Sequence, residues 1–189
     1  EVVYAETGEG FNNIDALPGA GIFRSDDGGT SWYSLAATAN GDFRWVNRLA
    51  VDPVTSGVVY AAAVGSNGSG AIRKTTNGGA TWSNVKDTFG RAFDVKTHPS
   101  ISGRVLVGSN GAVYYSTNGG ASWSDETAGG NQLPPTHINN GRFEVAFASN
   151  ATHLYVAMAK STQGNLRSEI WRSPDGASTW GLRSRTAAL

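Results

Sequence analysis

Ser25-Asp26-Asp27-Gly28-Gly29-Thr30-Ser31-Trp32 is the first of four copies of one short pattern. It returns as Thr75-Thr76-Asn77-Gly78-Gly79-Ala80-Thr81-Trp82, as Ser116-Thr117-Asn118-Gly119-Gly120-Ala121-Ser122-Trp123, and as Ser173-Pro174-Asp175-Gly176-Ala177-Ser178-Thr179-Trp180. The shared form, S/T-x-D/N-G-G/A-x-S/T-W, has the chemistry of a tight hairpin. Asp27, Asn77, Asn118 and Asp175 each offer a short side-chain oxygen expected to accept from backbone N–H groups two residues on. The glycines that follow take φ > 0 without a Cβ clash. The Ser or Thr before each tryptophan opens the outgoing strand, and the indole is expected to fold onto a neighbouring apolar surface. A calcium site at Asp26-Asp27 is the sharper reading. Two copies carry Asn, and no copy supplies a clustered third carboxylate, so a structural turn is preferred and no metal is expected.

Trp32, Trp82, Trp123 and Trp180 stand 50, 41 and 57 residues apart. That period implies one four-stranded propeller blade per repeat. The expected fold is therefore all-β, a β-propeller of four-stranded antiparallel blades, with strands A to D running outward from the axis. In the second repeat, A covers residues 46–51, B 57–64 and C 71–75, and D starts at 81. The third repeat places A at 92–97, B at 104–108, C at 112–116 and D from 122. The fourth places A at 142–148, B at 153–159, C at 169–173 and D from 179. These runs are rich in β-branched and aromatic residues and are bounded by Gly, Asn, Asp or Pro. The C strands align position for position: Ile22, Ile72, Val113 and Ile170, then Phe23, Arg73, Tyr114 and Trp171, then Arg24, Lys74, Tyr115 and Arg172. The fixed apolar position suits a strand packed between blades. For Phe23, Tyr114 and Trp171, core packing is preferred over ligand stacking.

The first repeat supplies B (2–7), C (21–25) and D (31–35) but no A strand. About 3.75 blades are expected, divided as 1–41, 42–87, 88–127 and 128–189. Ring closure removes exposed edges, and the residues after Arg185 are too few to provide the missing strand. The expectation is one segment of a larger propeller, or an assembly subunit completed by another chain. The opening at Glu1 without Met is read as a processed or truncated product.

Lys+Arg and Asp+Glu number 15 each, for zero formal net charge, and charged residues make up 16% of the chain. A general nucleic-acid binder needs a basic stripe, which this balance does not provide. There is no cysteine, hence no disulfide or thiolate metal site. No apolar run approaches the roughly 18–20 residues of a bilayer span. No cofactor is expected. His98, His137 and His153 are dispersed, without metal-like pairing.

The four motifs resemble the Asp-box, or BNR repeat. Val3-Tyr4-Ala5-Glu6-Thr7-Gly8-Glu9-Gly10, Gly19-Ala20-Gly21-Ile22-Phe23-Arg24-Ser25, and Val51-Asp52-Pro53 followed by Gly57-Val58-Val59-Tyr60-Ala61 are similar to openings of extracellular bacterial propellers of the sortilin/VPS10-like and BNR-repeat superfamily. The resemblance covers nearly the whole chain. It implies a secreted or cell-surface bacterial protein, in a superfamily that includes sialidases, xyloglucan-cleaving glycosidases, assembly factors and sorting receptors. Fold does not settle activity. Asp27, Trp32, Asn77, Trp82, Asn118, Trp123, Asp175 and Trp180 then take structural Asp-box roles.

Sialidases place an Arg-Ile-Pro-like motif ahead of the first box and hold the substrate carboxylate with three arginines. The motif is absent here. Arg91 and Arg142 share a position near the entrance of strand A, and Arg44 is offset by one unless its strand bulges. Convergence of the three on an anion is weighed against a repeat-consensus arginine at the rim, which is favoured. Glycosidases use two carboxylates. Those nearest a cleft are Glu6, Glu9 and Asp15, with Asp42, Asp94 and Glu144 on or near inner strands, each read first as a solvated acid. Arg44, Arg91, Arg142, Glu6 and Asp15 are the candidate ligand-binding residues, and no catalytic residue is assigned. The loops opposite the boxes (9–20, 36–43, 125–141 and 160–167) suit polar recognition of a glycan or protein. The function expected is a non-catalytic binding or scaffold segment. The alternatives are a glycoside hydrolase fragment with catalytic residues partly outside the chain, and the partner-completed subunit.

Overall fold

The computed structural model describes residues 1–11, 15–88, 90–128, 133, 141–149, 152–162 and 165–186. Four antiparallel sheets follow one another along the chain. Blade 1 is β1 (Val3–Glu6), β2 (Ile22–Ser25) and β3 (Tyr33–Ser34). Blade 2 is β4 (Trp45–Val51), β5 (Val59–Val64), β6 (Gly70–Thr75) and β7 (Ser83–Asp87). Blade 3 is β8 (Ala92–Thr97), β9 (Val105–Ser109), β10 (Val113–Ser116) and β11 (Ser124–Asp125). Blade 4 is β12 (Gly141–Phe147), β13 (Leu154–Thr162), β14 (Asn165–Ser173) and β15 (Gly181–Arg185). Each strand pairs with its sequence neighbours, as expected of propeller blades, and blade 1 has three strands against four in the others. Two expected loops differ. Residues 36–43 hold two 3₁₀ turns, Ala36–Thr38 and Gly41–Phe43. Residues 160–167 fall largely within β13 and β14, whose pairing runs out to Thr162 and Asn165. Among the described residues no helix is long and apolar enough to cross a membrane.

The four hairpins share one hydrogen-bond scheme. A buried hydroxyl at the end of strand C accepts from a backbone N–H four residues on: Ser25 from Gly29 at 2.8 Å, Thr75 from Gly79, Ser116 from Gly120 and Ser173 from Ala177, each at 2.9 Å. The same hydroxyl donates to Oδ1 of Asp27, Asn77, Asn118 or Asp175. Only a group that donates and accepts at once can fill this position, hence Ser or Thr. The expected reach of the Asx side chain is corrected. Oδ1 accepts from the N–H four residues on, Ser31, Thr81, Ser122 and Thr179, at 2.8–3.0 Å. The first two of the three intervening residues turn with positive φ, Gly28 and Gly29 at 74° and 95° in the first copy, and this lengthens the loop beyond a simple Asx turn. Ala177 takes the second of these positions at φ 74°.

Asp and Asn close the loop with opposite polarity. Ser31 and Thr179 hydroxyls donate to Oδ2 of Asp27 and Asp175, whereas Nδ2 of Asn77 and Asn118 donates to Thr81 and Ser122. The Ser31 hydroxyl and the Thr179 hydroxyl, aided by backbone N–H donors, hold the Asp27 and Asp175 carboxyls below the usual carboxylate range. A depressed folded value means the stabilisation is fully present above the unfolded pKa, about 3.9, and is lost as pH falls through the folded value. As pH falls from about 4 toward the folded values, the protection factors of the Ser31 and Thr179 amides are expected to fall. Thr81 and Ser122, held by non-titrating amides, keep their protection. Equal loss at all four would overturn this account.

The core lies between blades. Ile22, Leu35, Phe43 and Val46 bury one another between blades 1 and 2. Ile72, Val95, Val107 and Tyr114 do so between 2 and 3. Val113, Phe143, Met158 and Trp180 do so between 3 and 4. The C-strand register explains the pattern. Ile22, Ile72 and Val113 face the following blade and are wholly buried, and Ile170, at the same position in blade 4, is 44% exposed. The tryptophans face the preceding blade. Trp180 is 2% exposed, Trp123 donates to the Val85 carbonyl at 2.9 Å, and Trp82 meets Phe43 edge-on at 5.5 Å. Trp32 is 43% exposed and donates within its own hairpin, to the Gly29 carbonyl.

A polar staple repeats alongside. Arg24 Nη1 donates to the carbonyl of Gly78 in the next hairpin at 2.7 Å, and Lys74 Nζ to that of Gly119 at 2.8 Å. Each cation sits over its cross-strand tyrosine, Tyr4 or Tyr60. Tyr155 and Arg172 form the same cross-strand pair in blade 4. There Arg172 Nε is buried without a hydrogen-bond partner among the described residues.

Candidate functional site

The inner strands bring their entrances together on the face opposite the hairpins. Asn47 organises this region. It sits at a break of register in β4, between Val46 and Arg48, and is 4% exposed. Its Oδ1 accepts from Gly10 N at 2.9 Å and its Nδ2 donates to the Ala92 carbonyl at 2.7 Å. One side chain thus ties blade 2 to blade 3 and anchors the segment after β1, so that Phe11 stacks on Phe93 with centroids 6.2 Å apart and planes 17° apart.

The three candidate arginines meet aromatic faces around that anchor. Arg44 lies 4.8 Å and Arg91 5.8 Å from the centroid of Trp45. Arg91 also donates to the Gly10 carbonyl at 3.3 Å. Arg142 lies 4.4 Å from the centroid of Phe11 and 5.7 Å from that of Phe93, and pairs with Glu144 at 2.6 Å. β4 does bulge, but β8 also breaks register, between Ala92 and Asp94. The offset therefore persists: Trp45 occupies in blade 2 the place that Arg91 and Arg142 hold in theirs. The structure brings Arg44 and Arg91 to one indole and sets Arg142 against the neighbouring phenyl rings. A guanidinium laid on a ring is held in place while its remaining N–H groups stay available as a fork of donors.

The carboxylates distribute differently. Asp94, wholly buried on β8, accepts from Lys96 Nζ at 2.7 Å and from Val145 N at 3.0 Å. It also lies 3.3 Å from Arg48 Nε, an ion pair that lacks hydrogen-bond geometry. Both of its oxygens are thus committed to joining blades 2, 3 and 4. Asp42 pairs with Arg73 at 3.2 Å. Glu6 is exposed at the end of β1, and Glu9 and Asp15 are exposed in the following segment. Residues 12–14, 134–140 and 150–151, including the amide-rich loop and His137, lie outside the described residues. In the first hairpin Asp26 is engaged by Arg24 at 2.6 Å and by the Tyr33 hydroxyl at 2.9 Å.

Sequence reasoning passed over Trp45, Phe93, Asn47 and Arg48. Trp45 carried a usable signal, an aromatic beside an arginine at a strand entrance. Asn47 carried none, because its importance comes from a bulge and from partners 37 and 45 residues away. The buried acids Glu126 and Glu169 were also passed over. They receive the indole N–H groups of Trp180 and Trp171.

No family model and no curated protein matches the sequence. Among solved structures, the chain is similar to a Niastella koreensis GH74 enzyme at 22% identity, covering 89% of this chain and 27% of that one, with a TM-score of 0.63. An ancestral GH74 enzyme is similar at 25% identity, covering 81% of this chain and 19% of that one, with a TM-score of 0.59. The chain spans about a quarter or less of the length of these enzymes. The likeness bears on fold, a β-propeller.

Proposed function

We propose that this chain is an arc of a larger Asp-box β-propeller, acting as a glycan-binding segment through the arginine–aromatic rim opposite the hairpins. The observation that carries the binding role is the stacking of Arg44, Arg91 and Arg142 on Trp45, Phe11 and Phe93. Pre-positioned guanidinium forks beside ring faces suit ligands rich in hydroxyl groups. The larger ring is supported by the two ends. Ile170 and Arg172 repeat the face that seats a following blade, and Trp32 repeats the indole that reaches a preceding one. The units within the arc are 1–41, 42–87, 88–127 and 128–189. Further blades of the same protein are the partners this reading supplies, and a secreted or surface location is the setting that suits it.

Titration with β-glucan and xyloglucan oligosaccharides tests the role. Arg44→Ala and Arg91→Ala should each weaken binding by about tenfold, close to 1.4 kcal/mol, with little change in melting temperature for the exposed Arg44. Unchanged affinity in both variants would remove the rim from the site. A second reading, a fragment of a glycoside hydrolase, draws on the likeness to GH74 enzymes. Product release from sialosides or β-glucans that is lost on substituting Arg91, Arg142 or Glu6 would replace the non-catalytic reading with that one.

A further inference from the structure

The three blade junctions are built on one plan, and the third departs from it. On the hairpin face, Arg24 closes the first junction and Lys74 the second, each bonded to a hairpin glycine of the next blade. A Cβ added at Gly78 or Gly119 would run into those cations, but at Gly176 it would meet nothing within 4 Å. The register explains the difference. Tyr115 stands in blade 3 where Arg24 and Lys74 stand in theirs, and its cross-strand partner is Leu106 rather than a tyrosine. The buried ring belongs to the apolar cluster that holds Leu106, Phe143 and Trp180, and among the described residues no cation from strand C spans the gap.

A cleft of about 550 Å³ opens there, against about 140 Å³ at the first junction. Ligand clefts run from roughly 300 to 1,000 Å³. Its apolar side is formed by Ile101, Tyr115, Phe147 and Leu154, and its polar side chains are His98, Arg104, Thr117, Thr152 and Asp175. The Arg104 side chain is half-buried and has no ion-pair or hydrogen-bond partner among the described residues. A half-buried guanidinium is a strong carboxylate receptor, because its planar fork matches both oxygens. Asp175 is already bonded to Ser173 and Thr179, and its carboxylate retains lone pairs that can accept from further hydroxyl groups. The cleft is therefore dipolar, with a cation for an acid group and an acceptor for hydroxyls, beside an apolar wall.

We infer that this cleft between blades 3 and 4 binds a hexuronic acid, with the carboxylate on Arg104 and ring hydroxyls donating to Asp175. The site is on the hairpin face, away from the arginine–aromatic rim, and does not depend on the function proposed for that rim. A neutral hexose lacks the group that Arg104 reads. A bare carboxylate lacks the hydroxyls and the ring.

Amide and arginine side-chain NMR titrations with glucuronate, glucose and acetate test it. Glucuronate should shift Arg104 Nε–H and the Thr117 and Gly176 amides saturably, with glucose and acetate each about tenfold weaker or more. Arg104→Gln should lower glucuronate affinity by about tenfold. The Arg104 side chain makes no hydrogen bond or ion pair among the described residues, so this variant should keep its melting temperature. Thr117→Val, at an exposed position, gives a second perturbation of the same response. Glucose or acetate matching glucuronate would overturn the inference. So would shifts confined to Gly10 and Arg91, unchanged affinity in Arg104→Gln, or no saturable response to glucuronate.

Discussion

Trp180→Ala should lower the unfolding free energy by about 3–5 kcal/mol, the range for deleting a large buried aromatic side chain. For a chain of this size that corresponds to roughly 6–20 °C in melting temperature. The indole is 2% exposed and fills the contact between blades 3 and 4 with Phe143, Val156 and Ala177. It also donates to Glu126, itself 2% exposed, so the substitution takes a donor from a buried carboxylate as well as opening a cavity. Trp32→Ala, at the same motif position, should stay within about 0.5 kcal/mol of the parent, as surface substitutions do. Among the described residues no other blade packs on the half-exposed Trp32 indole, and its N–H is satisfied inside its own hairpin. Urea unfolding of both variants provides the comparison. If they cost the same, the indole acts within the hairpin and the junction account fails. In a longer chain carrying a blade ahead of residue 1, the Trp32 substitution should approach the cost of the Trp180 one.

Gly108→Ala is expected to be nearly as damaging, at about 3 kcal/mol, the upper part of the range for overpacking a core. Gly108 lies in β9 close against the backbone of blade 4, and an added methyl would collide with the backbone carbonyl of Phe143. Backbone cannot rotate away as a side chain can. Phe143 is paired with Met158 across β12 and β13, so relief requires moving the blade. The expected signature is a loosened junction: faster amide exchange in β12 with blades 1 and 2 unaffected. Gly68→Ala is the control. Gly68 has φ 80° and nothing within 4 Å, so it carries backbone strain alone. Equal effects of the two substitutions on β12 exchange would show that close approach between blades is not what makes Gly108 necessary.

Both predictions place stability at the junctions, and the binding surfaces arise there too. Asn47 and Asp94 lock three inner strands together and hold the Phe11 segment against Phe93. This fixes the stacked arginines on one face. On the other face, the exchange of a cation for Tyr115 leaves one junction open beside Arg104. The same repeat thus makes two junctions closed and a third with room for a ligand.

Much of the fold was legible because it is local. The hairpin scheme is complete within eight residues, so Ser25 through Trp32 and its three copies reveal turn, strand ends and blade spacing without reference to the rest of the chain. The shared C-strand register likewise identified Ile22, Ile72 and Val113 as an interior position. The rim and the cleft were not legible in the same way. Arg44 and Arg142 could be named from spacing, but their aromatic partners depend on bulges in β4 and β8, which shift side-chain direction by one residue. Exposure of Trp32 and Ile170, at motif positions buried elsewhere, depends on which blades flank them. By itself the sequence determined the turns and the strand order, because these follow from hydrogen bonds and periodicities a few residues long. Only the tertiary structure decided which cations are stapled and which are free, because those contacts join residues 45–81 positions apart across blade faces.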